Sequence, residues 1–114
     1  MNFKLWLENN RYPTVEWVRT ALRNNFVAPM RIKPLAAYIV GSEAKGSAKP
    51  DSDLDIAVII NPIRGKSALQ KTEEYHSKFQ TDLSKPRWNG RIVDFQFFYP
   101  DDPELHGYMK IPLD

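Results

Sequence analysis

Three stretches of this chain are dense in apolar residues at strand length, and others carry them at helical spacing. Residues 36–40 and 54–60 are nearly unbroken apolar runs, the first ending at Gly41 and the second at Asn61-Pro62. Residues 91–99 alternate instead, with Val93, Phe95 and Phe97 on one side and Asp94, Gln96 and Phe98 on the other. Short apolar or alternating runs bounded by Gly, Asn and Pro read as strands, so strands are predicted near 35–40, 53–60 and 91–99. After Pro13-Thr14, the residues Val15, Trp17, Val18, Ala21, Leu22 and Phe26 fall mostly on one helical stripe, which predicts a helix running to about Asn24. A second helix is expected over residues 67–79, with Leu69, Tyr75 and Phe79 facing inward and Lys71, Glu73, Glu74 and Lys78 outward. Residues 2–10 carry Phe3, Leu5, Trp6 and Leu7, enough to pack one helical turn, and Asp101-Asp102-Pro103 opens another that Gly107 and Pro112 limit. Between these elements, residues 27–34 with two prolines, 61–65, and 82–90 with its Asn89-Gly90 turn signal read as loops. The fold class this predicts is α/β: a small mixed sheet with helices packed on one face.

The segment from Tyr38 to Ile60, YIVGSEAKGSAKPDSDLDIAVII, carries the chemistry. A glycine at the end of a strand lets the backbone turn with positive φ and lets a phosphate approach without a Cβ in the way. If Ser42 begins a short helix, its unpaired N–H groups and the positive end of its dipole suit an anion. Ser42 adds a hydroxyl donor, and Lys45 with Gly46 keeps the loop positive and compact. Strand alternation then places Asp53 and Asp55 on one side and Leu54, Ile56, Val58 and Ile60 on the other. Two carboxylates on one face repel unless a cation lies between them, and such hard oxygen donors suit Mg²⁺. Asp94, flanked by Ile92, Val93 and Phe95, would be costly to bury without a partner, which ties it to the same cation if its strand lies beside the Asp53 strand.

A Gly-Ser, a spacer, an Asp-x-Asp in a strand and a third Asp in a later strand make this chain resemble the DNA polymerase beta type nucleotidyltransferases, and among them the minimal nucleotidyltransferases. The resemblance spans roughly residues 35–98 and joins four features, where a lone Gly-Ser or Asp-x-Asp would carry little. It implies a polymerase beta-like fold and a metal-dependent transfer of a nucleoside monophosphate, by default AMP from ATP, with release of pyrophosphate. It implies Asp53, Asp55 and Asp94 as catalytic residues and metal ligands, and Gly41, Ser42, Lys45, Gly46 and Ser52 as the nucleotide-binding set. On this resemblance Asp94 either holds a second Mg²⁺ or deprotonates the acceptor hydroxyl. It further implies, for a chain of this type, the antitoxin half of a two-gene system acting on a helical HEPN partner protein, the acceptor being a hydroxyl on that partner. Transfer to RNA or to a small molecule such as an aminoglycoside, and a non-catalytic module that binds its partner by contact alone, are the other readings.

Composition narrows the picture a little further. At 114 residues the chain is expected to form a single domain, residues 1–114. It has no cysteine, which removes disulfides and thiolate metal sites and agrees with the expected cytoplasmic location. No stretch has the apolar length of a membrane span, and the first residues lack the pattern of a signal peptide. With 16 basic and 14 acidic residues the net charge is +2, too small to argue for a nucleic-acid partner. Trp6 and Trp17 are expected in the core, His76 as a surface or structural histidine and not a metal ligand or base, Arg31 and Lys33 as solvated loop charges, and His106 and Tyr108 as packing residues.

Overall fold

A computed structural model describes residues 11–25, 33–79 and 84–114. In chain order its elements are α1 (Val15–Asn25), β1 (Ala36–Val40), α2 (Gly41–Lys45), β2 (Leu54–Ile59), α3 (Ala68–His76), β3 (Arg87–Trp88), β4 (Arg91–Phe98), α4 (Pro103–His106) and β5 (Ile111–Pro112). The five strands form one sheet in the order β3-β4-β2-β1-β5. The β2–β4 pair is parallel, with α3 in the crossover, and the other neighbours are antiparallel. The three long strands are those predicted. Strands β3 and β5, two residues each, were not predicted, because two residues carry no period.

Strand β2 lies between β1 and β4, so its apolar run is covered on both faces, as is usual for a strand with a parallel neighbour inside a sheet. One face packs Ile39, Leu54, Ile56, Val58, Val93, Phe95 and Phe97 against Val18 and Leu22 of α1 and Tyr75 of α3. The opposite face packs Val40, Ala57, Ile59 and Phe98 against Leu105 of α4, with Tyr108 at its margin. The two longer helices thus share one face as expected, and the short α4 covers part of the other. Asp102 caps α4, its Oδ1 accepting from the Glu104 N–H at 3.0 Å. Asp55 and Asp94 lie on this second face, in register with Val40.

Helix α3 is rotated from its expected orientation. Leu69 is 66% exposed and Lys71 only 4%, so the inward Leu69 and outward Lys71 predicted from composition are both corrected. Ala68, Lys71 and Tyr75 are the buried residues of the helix, at helical spacing, and Lys71 reaches Glu74 at 3.4 Å. The cause is the edge of β4. Because β3 is short, β4 beyond it has unpaired backbone groups, and α3 supplies their partners: Thr72 Oγ1 accepts from the Phe97 N–H at 2.9 Å, and His76 Nε2 stands 3.1 Å from the Phe95 carbonyl. A helix that covers a strand edge must turn polar side chains toward it, which a hydrophobic count does not register. A capping box fixes the helix start, with Ser67 Oγ accepting from Gln70 N–H and Gln70 Oε1 from Ser67 N–H. Of the two expectations for His76, surface or structural, the structure shows the second.

Trp17 is partly buried and meets Trp88 edge-on at 5.4 Å between ring centroids, which brings β3 onto the α1 face. The chain end pins α1, the Asp114 carbonyl accepting from Val15 N–H at 2.7 Å. Asn89 and Gly90 both have positive φ, 50° and 80°, and form the β3–β4 turn read from the sequence. Lys33 is exposed as expected. The expectations for residues 2–10, with Trp6, for Phe26, and for residues 27–32, with Arg31, lie outside the described residues.

Candidate active site

The site is assembled where the end of β1 and the start of β2 meet the middle of β4. In the sheet register, Asp55 stands opposite Val40 of β1 on one side and opposite Asp94 of β4 on the other. Register partners point to the same face, so Asp55 and Asp94 are side by side, and Asp53, two residues before Asp55, shares that face. Chain reversal at Gly41 brings the start of α2 onto the same spot. Gly41 has φ +69°, and a Cβ there would overlap Oδ2 of Asp55 and stand 3.2 Å from its Cγ. Glycine is thus required twice, by the backbone angle and by the carboxylate behind it. Val40 provides no side-chain cap, which leaves the first N–H groups of α2 for another acceptor.

Burial, then Asp94, then Asp53 push the Asp55 carboxyl above the ordinary carboxylate range, and Arg91 opposes them. Asp94 Oδ1 accepts from Lys85 Nζ at 3.0 Å, in an ion pair whose side chains are only 18% and 19% exposed, Lys85 and Asp94 respectively. Asp53 is exposed at the start of the strand.

Behind the acids lies a charge network that sequence reasoning missed. The Glu43 side chain, 8% exposed, sits 3.2 Å from Arg91 Nη1 and 3.2 Å from Arg11 Nη2, and accepts from the Tyr12 hydroxyl at 3.0 Å. Arg91 Nε in turn donates to the Ser52 carbonyl at 2.8 Å. One guanidinium therefore ties α2, the loop before the acid pair, and the first residue of β4. Burial raises the Glu43 carboxyl, but Tyr12, Arg91 and Arg11 together outweigh it and hold the group low. The same hydrogen bond, added to burial, raises the Tyr12 hydroxyl. A glutamate directly after the Gly-Ser pair and an arginine opening β4 are the visible signals. Nothing local to either residue marks them as partners.

A cleft of about 350 Å³ runs from Asp55 across the second face, lined by Val40, Gly41, Lys45, Asp55 and Gln96 and flanked by Gly107, Tyr108 and Met109. Of the predicted site residues, Gly41, Lys45 and Asp55 line it. Ser42 lies in the first turn of α2, half-buried, and Gly46 closes that helix in the left-handed region, its N–H reaching the Glu43 carbonyl. Ser52 serves a turn, its Oγ accepting from Lys49 N–H at 2.9 Å while its carbonyl holds Arg91. Tyr108 both packs, edge-on to Phe98 with its hydroxyl on Glu104 at 2.8 Å, and forms cleft wall. His106 is exposed.

The donor set fits a hard divalent cation. Among the described residues no three His, Cys, Asp or Glu side chains already form a metal-holding group. Magnesium requires only one or two protein carboxylates when water and substrate phosphates complete its shell, and Asp55 with Asp53 offers that much on one strand face.

A mixed five-stranded sheet sets a glycine-led helix against the strand of Asp55, with Asp94 in register beside it. The family model described as polymerase beta, nucleotidyltransferase matches residues 25–106. The chain belongs to that family. No curated protein and no solved structure matches it. Among the described residues no helix is long and apolar enough to cross a membrane.

Proposed function

We propose that this protein moves a nucleoside monophosphate, AMP from ATP by default, onto a hydroxyl acceptor with release of pyrophosphate. The observation that carries the reading is the packing of Gly41 against Asp55, which is itself in register with Asp94, at one end of a cleft lined by Lys45, Gln96 and Tyr108. Gly41 and the uncapped N–H groups of α2 hold the terminal phosphates, and Lys45 adds charge at the cleft wall. Asp53 and Asp55 would hold Mg²⁺, which when bound neutralises the triphosphate and the charge that builds on the leaving oxygen. Asp94 lies on the far side of Asp55 from Gly41, the side from which an acceptor approaches, and its carboxylate takes the hydroxyl proton. The acceptor oxygen forms a bond to the α-phosphorus as the bond to pyrophosphate breaks in line.

The acceptor we favour is a hydroxyl on a helical HEPN-type partner protein, with this chain acting as the antitoxin of the pair in the cytoplasm. The resemblance supports this, and Met109, 63% exposed at the cleft rim, offers such a partner an apolar contact.

The test is transfer of label from α-³²P nucleoside triphosphates with Mg²⁺ to a co-purified partner or to total RNA, with Asp53→Asn alongside. Label on a protein band that is lost in the variant supports the proposal and names the nucleotide. Label on RNA moves the protein to RNA modification. A folded protein that binds no nucleotide in the presence of Mg²⁺ is a contact-only module.

A further inference from the structure

We propose that Lys85 is the resident cation on the acceptor side of the site, so that the protein takes one divalent ion per bound nucleotide, on Asp53 and Asp55, and the Lys85 ammonium stands where a second ion would bind Asp94. This inference rests on the reading of the site as one that binds metal and nucleotide. Three observations carry it.

The first is the pair itself: Lys85 Nζ lies 3.0 Å from Asp94 Oδ1, and less than a fifth of either side chain is exposed. Ion pairs withdrawn from water are costly to split, because the partner left behind is a desolvated charge.

The second is that Lys85 is built into place. Its neighbour Pro86 accepts from Val93 N–H at 2.9 Å, immediately beside Asp94, and β3 follows at once, pairing Arg87 with Ile92. The lysine is presented by backbone hydrogen bonds to the strand that carries its aspartate, so it is not a long side chain reaching in from a remote loop.

The third is the distribution of the acids. Asp53 and Asp55 share one face of β2, whereas Asp94 reaches the group from β4, and no three acids among the described residues form a ready metal cluster. A second divalent ion at Asp94 would have to displace the ammonium or sit beside it, and two like charges a few Å apart in a part-buried site repel strongly. A lysine supplies one positive charge and up to three donors at a set position, where a metal would supply two charges and an open shell. It can hold Asp94 in line with the acceptor without being loaded from solution.

The experiment counts ions. The full chain is titrated with Mn²⁺ in the presence of a non-hydrolysable ATP analogue and followed by electron paramagnetic resonance, for the wild type, Lys85→Met and Lys85→Arg. Folding is checked by circular dichroism. We expect one bound Mn²⁺ per chain and an uncoupled signal in the wild type and in Lys85→Arg. In Lys85→Met we expect a second Mn²⁺ and the spin coupling of two ions at roughly 3.5–4 Å, the usual spacing of two-metal sites. Two ions in the wild type overturn the inference while leaving metal–nucleotide binding intact. A Lys85→Met protein that folds and still takes one ion also overturns it. No Mn²⁺ held with nucleotide in any form overturns both this inference and the functional reading beneath it.

Discussion

Gly41 has no side chain because Asp55 occupies the place where one would go. Gly41 follows β1, which runs antiparallel to the strand of Asp55 with Val40 opposite that residue, and the turn at Gly41 folds the next helix back over the carboxylate. Helix and acid therefore cannot be moved independently. Gly41→Ala would need a left-handed backbone at a non-glycine residue and would push Asp55 out of register with Asp94. We expect a loss of about 1–3 kcal/mol in urea unfolding, together with loss of Mg²⁺-dependent nucleotide binding. A stable Gly41→Ala protein that binds nucleotide normally would show that the close approach is not needed.

The charged form of Asp55 works against the stability of the metal-free protein. Burial and the carboxylates of Asp94 and Asp53 raise its folded-state pKa above the unfolded value, so the folded protein binds the proton more tightly than the unfolded one. The stability contributed by the protonated group is full below the ordinary carboxylate range and is lost as pH rises through the raised folded value. Metal-free Asp55→Asn should accordingly have a higher Tm than the wild type at neutral pH, with the gap closing toward acid. Added Mg²⁺ and nucleotide should raise the Tm of the wild type only. An Asn variant less stable than the wild type at neutral pH contradicts this.

Glu43 and Arg91 should behave as a coupled pair. Removing either charge leaves the other largely buried, and Arg91 already has one buried nitrogen, Nη2, without a partner. We expect Glu43→Gln and Arg91→Met each to cost about 1–3 kcal/mol, with a coupling of roughly 0.5–3 kcal/mol in a double-mutant cycle. The lowered Glu43 carboxyl sets the sign of the pH effect: its contribution is present above the ordinary glutamate value and lost as pH falls through the depressed one. Additive single effects would mean that the bridge does not hold α2 to β4.

Thr72 is expected to matter through its oxygen. Thr72→Val keeps the shape but removes the acceptor that Thr72 offers the Phe97 N–H, at a cost of about 1–3 kcal/mol. Amide hydrogen exchange at Phe97 should quicken in this variant. Thr72→Ser should restore most of both, which a purely apolar role for the side chain would not allow.

Period and turn chemistry alone were enough to locate β1, β2, β4, the start of α1, the Asp102–Pro103 turn and the Asn89-Gly90 turn, because each depends on residues two to four positions apart. They also marked Gly41, Asp53, Asp55 and Asp94, since a glycine ending a strand and acids inside apolar runs are anomalies visible in one dimension. The side-by-side placement of Asp55 and Asp94 had to await the parallel β2–β4 pairing, a register reached through a crossover and not encoded in either strand. The inward Lys71 and outward Leu69 follow from α3 lying over an exposed strand edge, a demand made by the neighbour and not by the helix. Likewise the Glu43–Arg91 and Lys85–Asp94 pairs and the Tyr108 wall of the cleft arise only when distant segments are folded together. Charges carry no mark of the partner they will meet; apolar period and glycine geometry act over a single turn or strand, and so are written where they act.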